Sequence, residues 1–214
     1  MKRNYQKELD GLLAKLAPGE KPRLLLHSCC GPCSSAVLEY LCPRFRVSLL
    51  WYNPNLYPET EFDRRLAAQK ELLEKMGLRD EVELLVEPWR AVDFQQIARG
   101  LENEPEGGAR CTECFRLRLS ETAKLAAARG FDYFCTTLTL SRYKDAVRIN
   151  ALGERVAAET GARWLPSDFK KQGREMRSAA LAEVFGLYRQ RYCGCEFSLR
   201  SREQKNESEK GETI

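Results

Sequence analysis

The chain has 214 residues, 43% hydrophobic and 31% charged, with a net charge of +4 at pH 7. That length suits one domain with a small appendage and is long enough to bury a substantial core. No run approaches the roughly 18 apolar residues of a membrane span, and MKRNYQKELDGLLAKLAPGE lacks the apolar stretch of a secretory signal, so a cytoplasmic protein is expected.

Leu9, Leu12, Leu13 and Leu16 fall at helical spacing, and Pro18-Gly19 closes that first element. RLLLHS (23–28) is too short for a helix and reads as a buried strand. Residues 33–41 read as a helix with Pro32 near its first turn, where a missing N–H costs nothing. RVSLLWYN (46–53) is a second strand, 58–76 a long helix stopped by Gly77, VELLVE (82–87) a third strand and 94–101 a short helix. EPEGGAR (104–110) reads as a joint, 115–129 as a helix ending at Gly130, and FDYFCTTL (131–138) as a fourth strand. A helix over 145–159 and a short fifth strand, ARWLP (162–166), follow. Strands alternating with helices at this spacing predict a single Rossmann-like parallel sheet with helices on both faces, followed by a C-terminal helical segment. The expected division is an N-terminal helical extension (1–20), one α/β catalytic domain (21–200) and a disordered polar tail (201–214). In such sheets the loops at the carboxyl ends of the strands build the site. Cys29, Cys30, the 53–57 loop and residues 136–143 all fall there.

Nine cysteines are many for a protein whose thiols are kept reduced, and clustered ones point to metal or redox chemistry. Three groups stand out: Cys29-Cys30 with Cys33, Cys111-Thr-Glu-Cys114, and Cys193-Gly-Cys195. Cys42 and Cys135 are isolated and read as core fillers. Cys29, Cys30, Cys111 and Cys114 supply four thiolates from two loops, enough for zinc or for an iron–sulfur cluster. Vicinal thiols diverge and suit the separate irons of a cubane better than one zinc ion. Cys193 and Cys195 can cycle between dithiol and strained disulfide, with Gly194 easing the closure, or ligate a second metal. Cys30-Gly-Pro-Cys33 alone spells a thioredoxin-type pair, but Cys29 stands where that fold usually has Trp. His27, the only histidine, reads as structural.

LLLHSCCGPCS, YNPNLYPETEFDRR (52–65), GGARCTECFRLRLSETAKLAAARGFDYFCTTLTLSRYKD (107–145) and YRQRYCGCEFS (188–198) together closely resemble the QueH family of epoxyqueuosine reductases, over residues 23–198. The resemblance implies reduction of the epoxide of epoxyqueuosine to queuosine at the wobble position of tRNA, the last step of queuosine synthesis, without cobalamin. It implies a 4Fe–4S cluster on Cys29, Cys30, Cys111 and Cys114. It also implies a catalytic role for Cys193 and Cys195, as a redox-active disulfide or as ligands of an additional mononuclear iron; Cys33 is left without an assigned role. The family's sheet is similar to that of the adenine-nucleotide α-hydrolase-like superfamily, although this chain lacks the Ser-Gly-Gly-x-Asp-Ser phosphate loop. An electron donor is required but not identified.

Removing the epoxide oxygen takes two electrons and two protons. Acid candidates are Tyr52, Tyr57, Tyr143 and Asp145, with Asp168 and Tyr192 behind them. From 163 to 195 the chain carries seven Lys or Arg against three acids. Arg142, Lys144, Lys170, Lys171, Arg174 and Arg177 are the expected phosphate contacts, and Tyr143, Phe169 and Trp89 the expected stacking surfaces. Two other readings compete: an iron–sulfur-dependent tRNA sulfur-inserting enzyme, disfavoured by the missing phosphate loop, and a zinc-stabilised RNA-binding module. A general thiol oxidoreductase is a third.

Overall fold

Strand β1 (Arg23–His27) has partners on both sides, which is why its sequence is apolar without alternation: Leu24, Leu25 and Leu26 are all fully buried. The structure, a computed structural model, describes residues 3–211. β2 (Arg46–Trp51) runs parallel to β1, with Arg23 opposite Arg46 and His27 opposite Leu50. β3 (Glu83–Val86) adds to the far side of β2 and β4 (Tyr133–Thr136) to the free side of β1, so the order is β3-β2-β1-β4, all parallel. The predicted fifth strand is reduced to one bridge between Phe134 and Trp164, closed by Phe134 N to Arg163 O and Leu165 N to Phe134 O, both 2.9 Å. Pro166 has no N–H with which to extend it.

Helix α1 (Tyr5–Leu13) lays Leu9 and Leu13 into the same core as the sheet. α2 (Gly31–Leu41) packs with α3 (Glu59–Lys75) and α7 (Arg174–Val184). A second group flanks the sheet, in which α5 (Ala109–Ala128) packs with α4 (Ala91–Ala98) and α6 (Ala146–Thr160). α5 begins six residues before the predicted start, at Ala109 rather than Phe115, because no breaker follows Gly108; Cys111 and Cys114 therefore sit on its first turns. The last helix, α8 (Glu196–Gly211), covers 201–211, the first part of the segment expected as a polar tail. Glu, Gln, Lys and Arg there favour a helix without any apolar stripe. The remaining tail positions, 212–214, lie outside the described residues.

The topology locates the site. β1 leads through α2 to β2 on one side, whereas β4 pairs on the other side of β1. That reversal opens a crevice beyond the carboxyl ends of β1 and β4. Cys29 and Cys30 leave β1 there, and a single 3-10 turn, Thr137–Leu140, leaves β4.

Candidate metal and redox centre

The loop after β1 is held from below. Ser28 Oγ lies 2.8 Å from Ser34 Oγ, and Gln69 Oε1 on α3 accepts from both hydroxyls at 2.7 and 2.8 Å. α3 comes so close that a Cβ on Gly31 would stand 2.8 Å from the Ala68 carbonyl oxygen. Cys30 caps α2, its sulfur accepting from Cys33 N at 3.4 Å. Cys29 is tied to β4's loop twice: its N–H donates to Thr137 Oγ1 at 3.1 Å, and that hydroxyl donates to Cys29 Sγ at 3.2 Å. The sulfurs of Cys29, Cys30 and Cys33 lie within 4.8 Å of one another, the one such group of three or more metal-binding side chains among the described residues. Three thiols so close divide their protons unequally. Hydrogen bonds from Cys30 and Cys33 hold Cys29 well below the usual thiol range, and the Cys29 sulfur in turn pushes Cys30 up to about 12 and Cys33 up as well.

The other two cysteine groups meet at the start of α5. Arg110, Cys114 and Arg118, at i, i+4 spacing, occupy one buried face. Cys114 and Cys195 join Phe94 and Ala98 in a small apolar cluster. Burial raises Cys111 and Cys195 and pushes Cys114 up to about 12. Cys111 accepts from Gly107 N at 3.2 Å. The segment carrying Cys193 and Cys195 is clamped from α3: Arg65 donates to the carbonyls of Cys193 (3.1 Å) and Tyr192 (3.3 Å). Arg65 is itself paired with Glu61 at 2.7 Å, both side chains being buried. Gly194 serves a tighter constraint than disulfide closure. Its φ is +126°, and a Cβ there would meet Leu56 Cδ2 at 2.4 Å and Arg65 Nη1 at 2.9 Å.

Arg118 connects the groups. Its Nε donates to His27 Nε2 at 3.2 Å, its Nη2 to Asn53 Oδ1 at 2.6 Å, and its Nη1 lies 4.0 Å from Cys114 Sγ. With Nε2 accepting, the imidazole proton belongs on Nδ1, which faces Thr136 Oγ1 at 2.8 Å. Burial, then the Arg118 charge, push His27 down to about 3, so the ring is neutral. Arg118 has no carboxylate partner among the described residues. The one ionised sulfur that feels its charge is Cys29; Cys114, 4.0 Å from Nη1, is a protonated thiol whose ionisation that charge favours against burial. Lys144 is the second cation: burial opposes its charge, but Cys193, Cys29 and Cys33 raise its pKa nonetheless.

A family model described as epoxyqueuosine reductase QueH matches residues 24–201. Proteins named epoxyqueuosine reductase QueH are similar over most of their length. The one from Staphylococcus epidermidis is 39% identical over 91% of this chain and 84% of its own. Those from Streptococcus pyogenes and Dehalococcoides mccartyi are each 37% identical, over 84% and 83% of this chain and 71% and 92% of theirs. The chain belongs to the QueH family of epoxyqueuosine reductases. Among solved structures it is similar to the U34-tRNA thiolase NcsA from Methanococcus maripaludis with its [4Fe-4S] cluster, at 14% identity and a TM-score of 0.46, covering 90% of this chain and 67% of that one.

The sequence-selected thiols thus fall into two neighbourhoods joined by Arg118: Cys29 and Cys30 with Cys33, and Cys111 and Cys114 with Cys193 and Cys195. All nine cysteines are free thiols. Cys135 is fully buried in the core and Cys42 packs against it, as fillers do. Several acid candidates have structural duties. Asp145 caps α6 through Val147 N and Arg148 N, Tyr52 donates to Asp93 at 2.8 Å, and Tyr192 donates to the Tyr57 carbonyl. Most expected phosphate contacts are engaged too: Arg142 with Glu175 (2.7 Å), Arg177 with Glu39 (2.6 Å), Lys170 with Asp168 (2.8 Å), while Arg174 is buried. Phe169 is fully buried and unavailable for stacking. Sequence reasoning missed Arg118, Arg65 with Glu61, and Gln190, whose Nε2 donates to Cys30 Sγ at 3.1 Å. Arg118 had a signal: it stands four residues after Cys114 on a strongly helical stretch. Gln190 had none.

Among the described residues no helix is long and apolar enough to cross a membrane.

Proposed function

We propose that this QueH-family epoxyqueuosine reductase works on tRNA-borne epoxyqueuosine, with Cys29, Cys30, Cys111 and Cys114 holding a 4Fe–4S cluster and Cys193 and Cys195 supplying the reducing equivalents that remove the epoxide oxygen. The observation carrying this reading is Arg118, which lies 4.0 Å from Cys114 Sγ and donates to His27, two residues before Cys29, at the crevice beyond β1 and β4. The donor set fits an iron–sulfur group: the thiols are free, sulfur-rich surroundings suit iron, and the buried Arg118 and the half-buried Lys144 offset the charge of thiolate ligands. Cys33 completes the triad and extends the choice of ligands beyond those four.

When bound, such a cluster supplies electrons one at a time. The chain's own residues account for the remaining balance. Closing a Cys193–Cys195 disulfide from two thiols releases two electrons and two protons. An epoxide plus two thiols gives an alkene, one water and one disulfide; both C–O bonds break and one S–S bond forms. Re-opening the disulfide returns the two electrons from an external donor. The Arg65–Glu61 pair holds the Cys193 carbonyl, so the dithiol segment stays registered with the triad while its bonding changes. Lys144 keeps its proton under the influence of Cys193, Cys29 and Cys33, so a positive charge is available to the oxyanion that develops among them.

The test is anaerobic turnover of epoxyqueuosine-bearing tRNA with a chemical reductant, read by nucleoside mass analysis. Queuosine should form, and Cys193→Ser or Cys195→Ser protein with unchanged iron content should lose at least about a hundredfold in rate. Turnover at the parent rate in either variant removes the dithiol from the account.

A further inference from the structure

Beside the dithiol segment lies a groove of about 550 Å³ bordered by Arg64, Tyr188, Arg189, Arg191, Tyr192 and Arg202, with Glu203 the one acid among its described lining residues. The aromatic wall is fixed. Tyr188 donates its hydroxyl to Glu61 at 3.0 Å, Tyr192 donates to the Tyr57 carbonyl, and the Arg64 guanidinium lies 3.7 Å over the Tyr188 ring. Arg189 and Arg191 are exposed and have no carboxylate partner among the described residues. They differ in this from Arg142, Arg177 and Lys170, whose charges are already matched. Between the two arginines, Gln190 reaches inward to Cys30 Sγ at 3.1 Å. One stretch of chain therefore borders the cysteine triad through residue 190 and the groove through residues 189 and 191.

We propose that this groove is the docking surface for the backbone of the RNA substrate, with phosphates on Arg189 and Arg191 and an unstacked base against the Arg64–Tyr188 pair. The inference rests on the tRNA reading above. Uncompensated arginines in a concavity with fixed aromatic rings match single-stranded RNA, which offers phosphates and a planar face together. An acidic redox protein would use the charge but not the rings. Arg189 and Arg191 are each one residue, about 3.8 Å between Cα atoms, from Gln190, whose side chain reaches Cys30, so a nucleotide held there sits on the chain segment that borders the thiols. That spacing lets a neighbouring nucleoside be splayed into the crevice.

The experiment uses the full, cluster-loaded chain and labelled tRNA from cells lacking the reductase, titrated by fluorescence anisotropy between about 50 and about 200 mM salt. The double substitution Arg189→Ala/Arg191→Ala should weaken binding about tenfold at low salt and reduce the log–log salt slope by about 1.4, or 0.7 per lost phosphate contact. Arg142→Ala/Arg177→Ala should change affinity less than about twofold, since those charges are neutralised internally. Arg191→Gln alone, with half the slope change, serves if the double variant folds poorly. Unchanged affinity and slope in both variants, with the parent binding normally, overturn the groove assignment alone. Normal tRNA binding with slowed reduction by an acidic protein donor overturns it in favour of that donor. Failure of the parent itself to bind tRNA overturns the substrate reading instead.

Discussion

Arg118 is the residue on which the site's electrostatics turn. A buried guanidinium costs several kcal/mol unless an anion faces it, and here the facing groups are a neutral histidine, an amide oxygen and sulfurs. The charge is therefore compensated only when the nearby thiols are ionised or bound to metal. Arg118→Gln keeps a donor toward Asn53 but removes the cation. Its iron-loaded form should have a more negative reduction potential than the parent, because the reduced site carries the extra electron and loses the charge that stabilises it. A redox titration followed by visible absorbance checks this; an unchanged potential would mean the thiolate charge is balanced elsewhere, by Lys144 first. Gly194 gives a second prediction at the same scale. Gly194→Ala places a methyl against Leu56 and Arg65 at a positive φ, and should cost about 1–3 kcal/mol in urea unfolding. It should also slow turnover while leaving iron content intact, since Cys195 shifts but the triad does not.

Among the elements, α3 does more than cover the sheet. Residues 61 and 65, one turn apart, form the buried ion pair that reaches across to the cysteine segment some 128 residues away. Arg65→Ala leaves Glu61 buried without its partner and should destabilise the protein by about 3–5 kcal/mol. Arg65→Met with Glu61→Gln should be milder than Arg65→Ala alone, because neither charge is stranded. Urea midpoints decide it: a double variant as unstable as the single one would show that lost packing, not the orphaned carboxylate, sets the cost. This clamp illustrates what the sequence could and could not reveal. β1, α2, β2 and α3 were legible because burial on both strand faces, Pro32 in a first turn and Gly77 as a stop each leave a local mark. The fifth strand was over-read, since ARWLP has strand character but Pro166 and its edge position allow only one bridge. The start of α5 was placed late because the cysteine pair was read as belonging to a loop. Pairings such as Arg65 with Cys193 or Gln190 with Cys30 have no local signature; they depend on which loops the topology stacks over the crevice.

At the scale of the whole molecule, the site is where distant parts of the chain are tied together. Thr137 meets Cys29 across 108 positions, Arg118 meets His27 across 91, and Gln190 meets Cys30 across 160. A group bound by thiols from these stretches closes long loops, and its binding free energy becomes folding free energy because the unfolded chain has no assembled site. At a hundredfold excess over Kd the added stability is about 2.7 kcal/mol. For a chain of this size each kcal/mol moves Tm by about 2–4 °C. Anaerobic iron and sulfide loading should thus raise Tm by roughly 5–11 °C, and chelation should reverse it. Cys135→Ala, a core change, should lower both baselines while preserving the difference between them; Cys114→Ser should abolish most of the difference. Equal Tm values for loaded and chelated parent protein would mean that iron and sulfide bind the folded chain no better than the unfolded one, and the assembled thiol site would fall with that result.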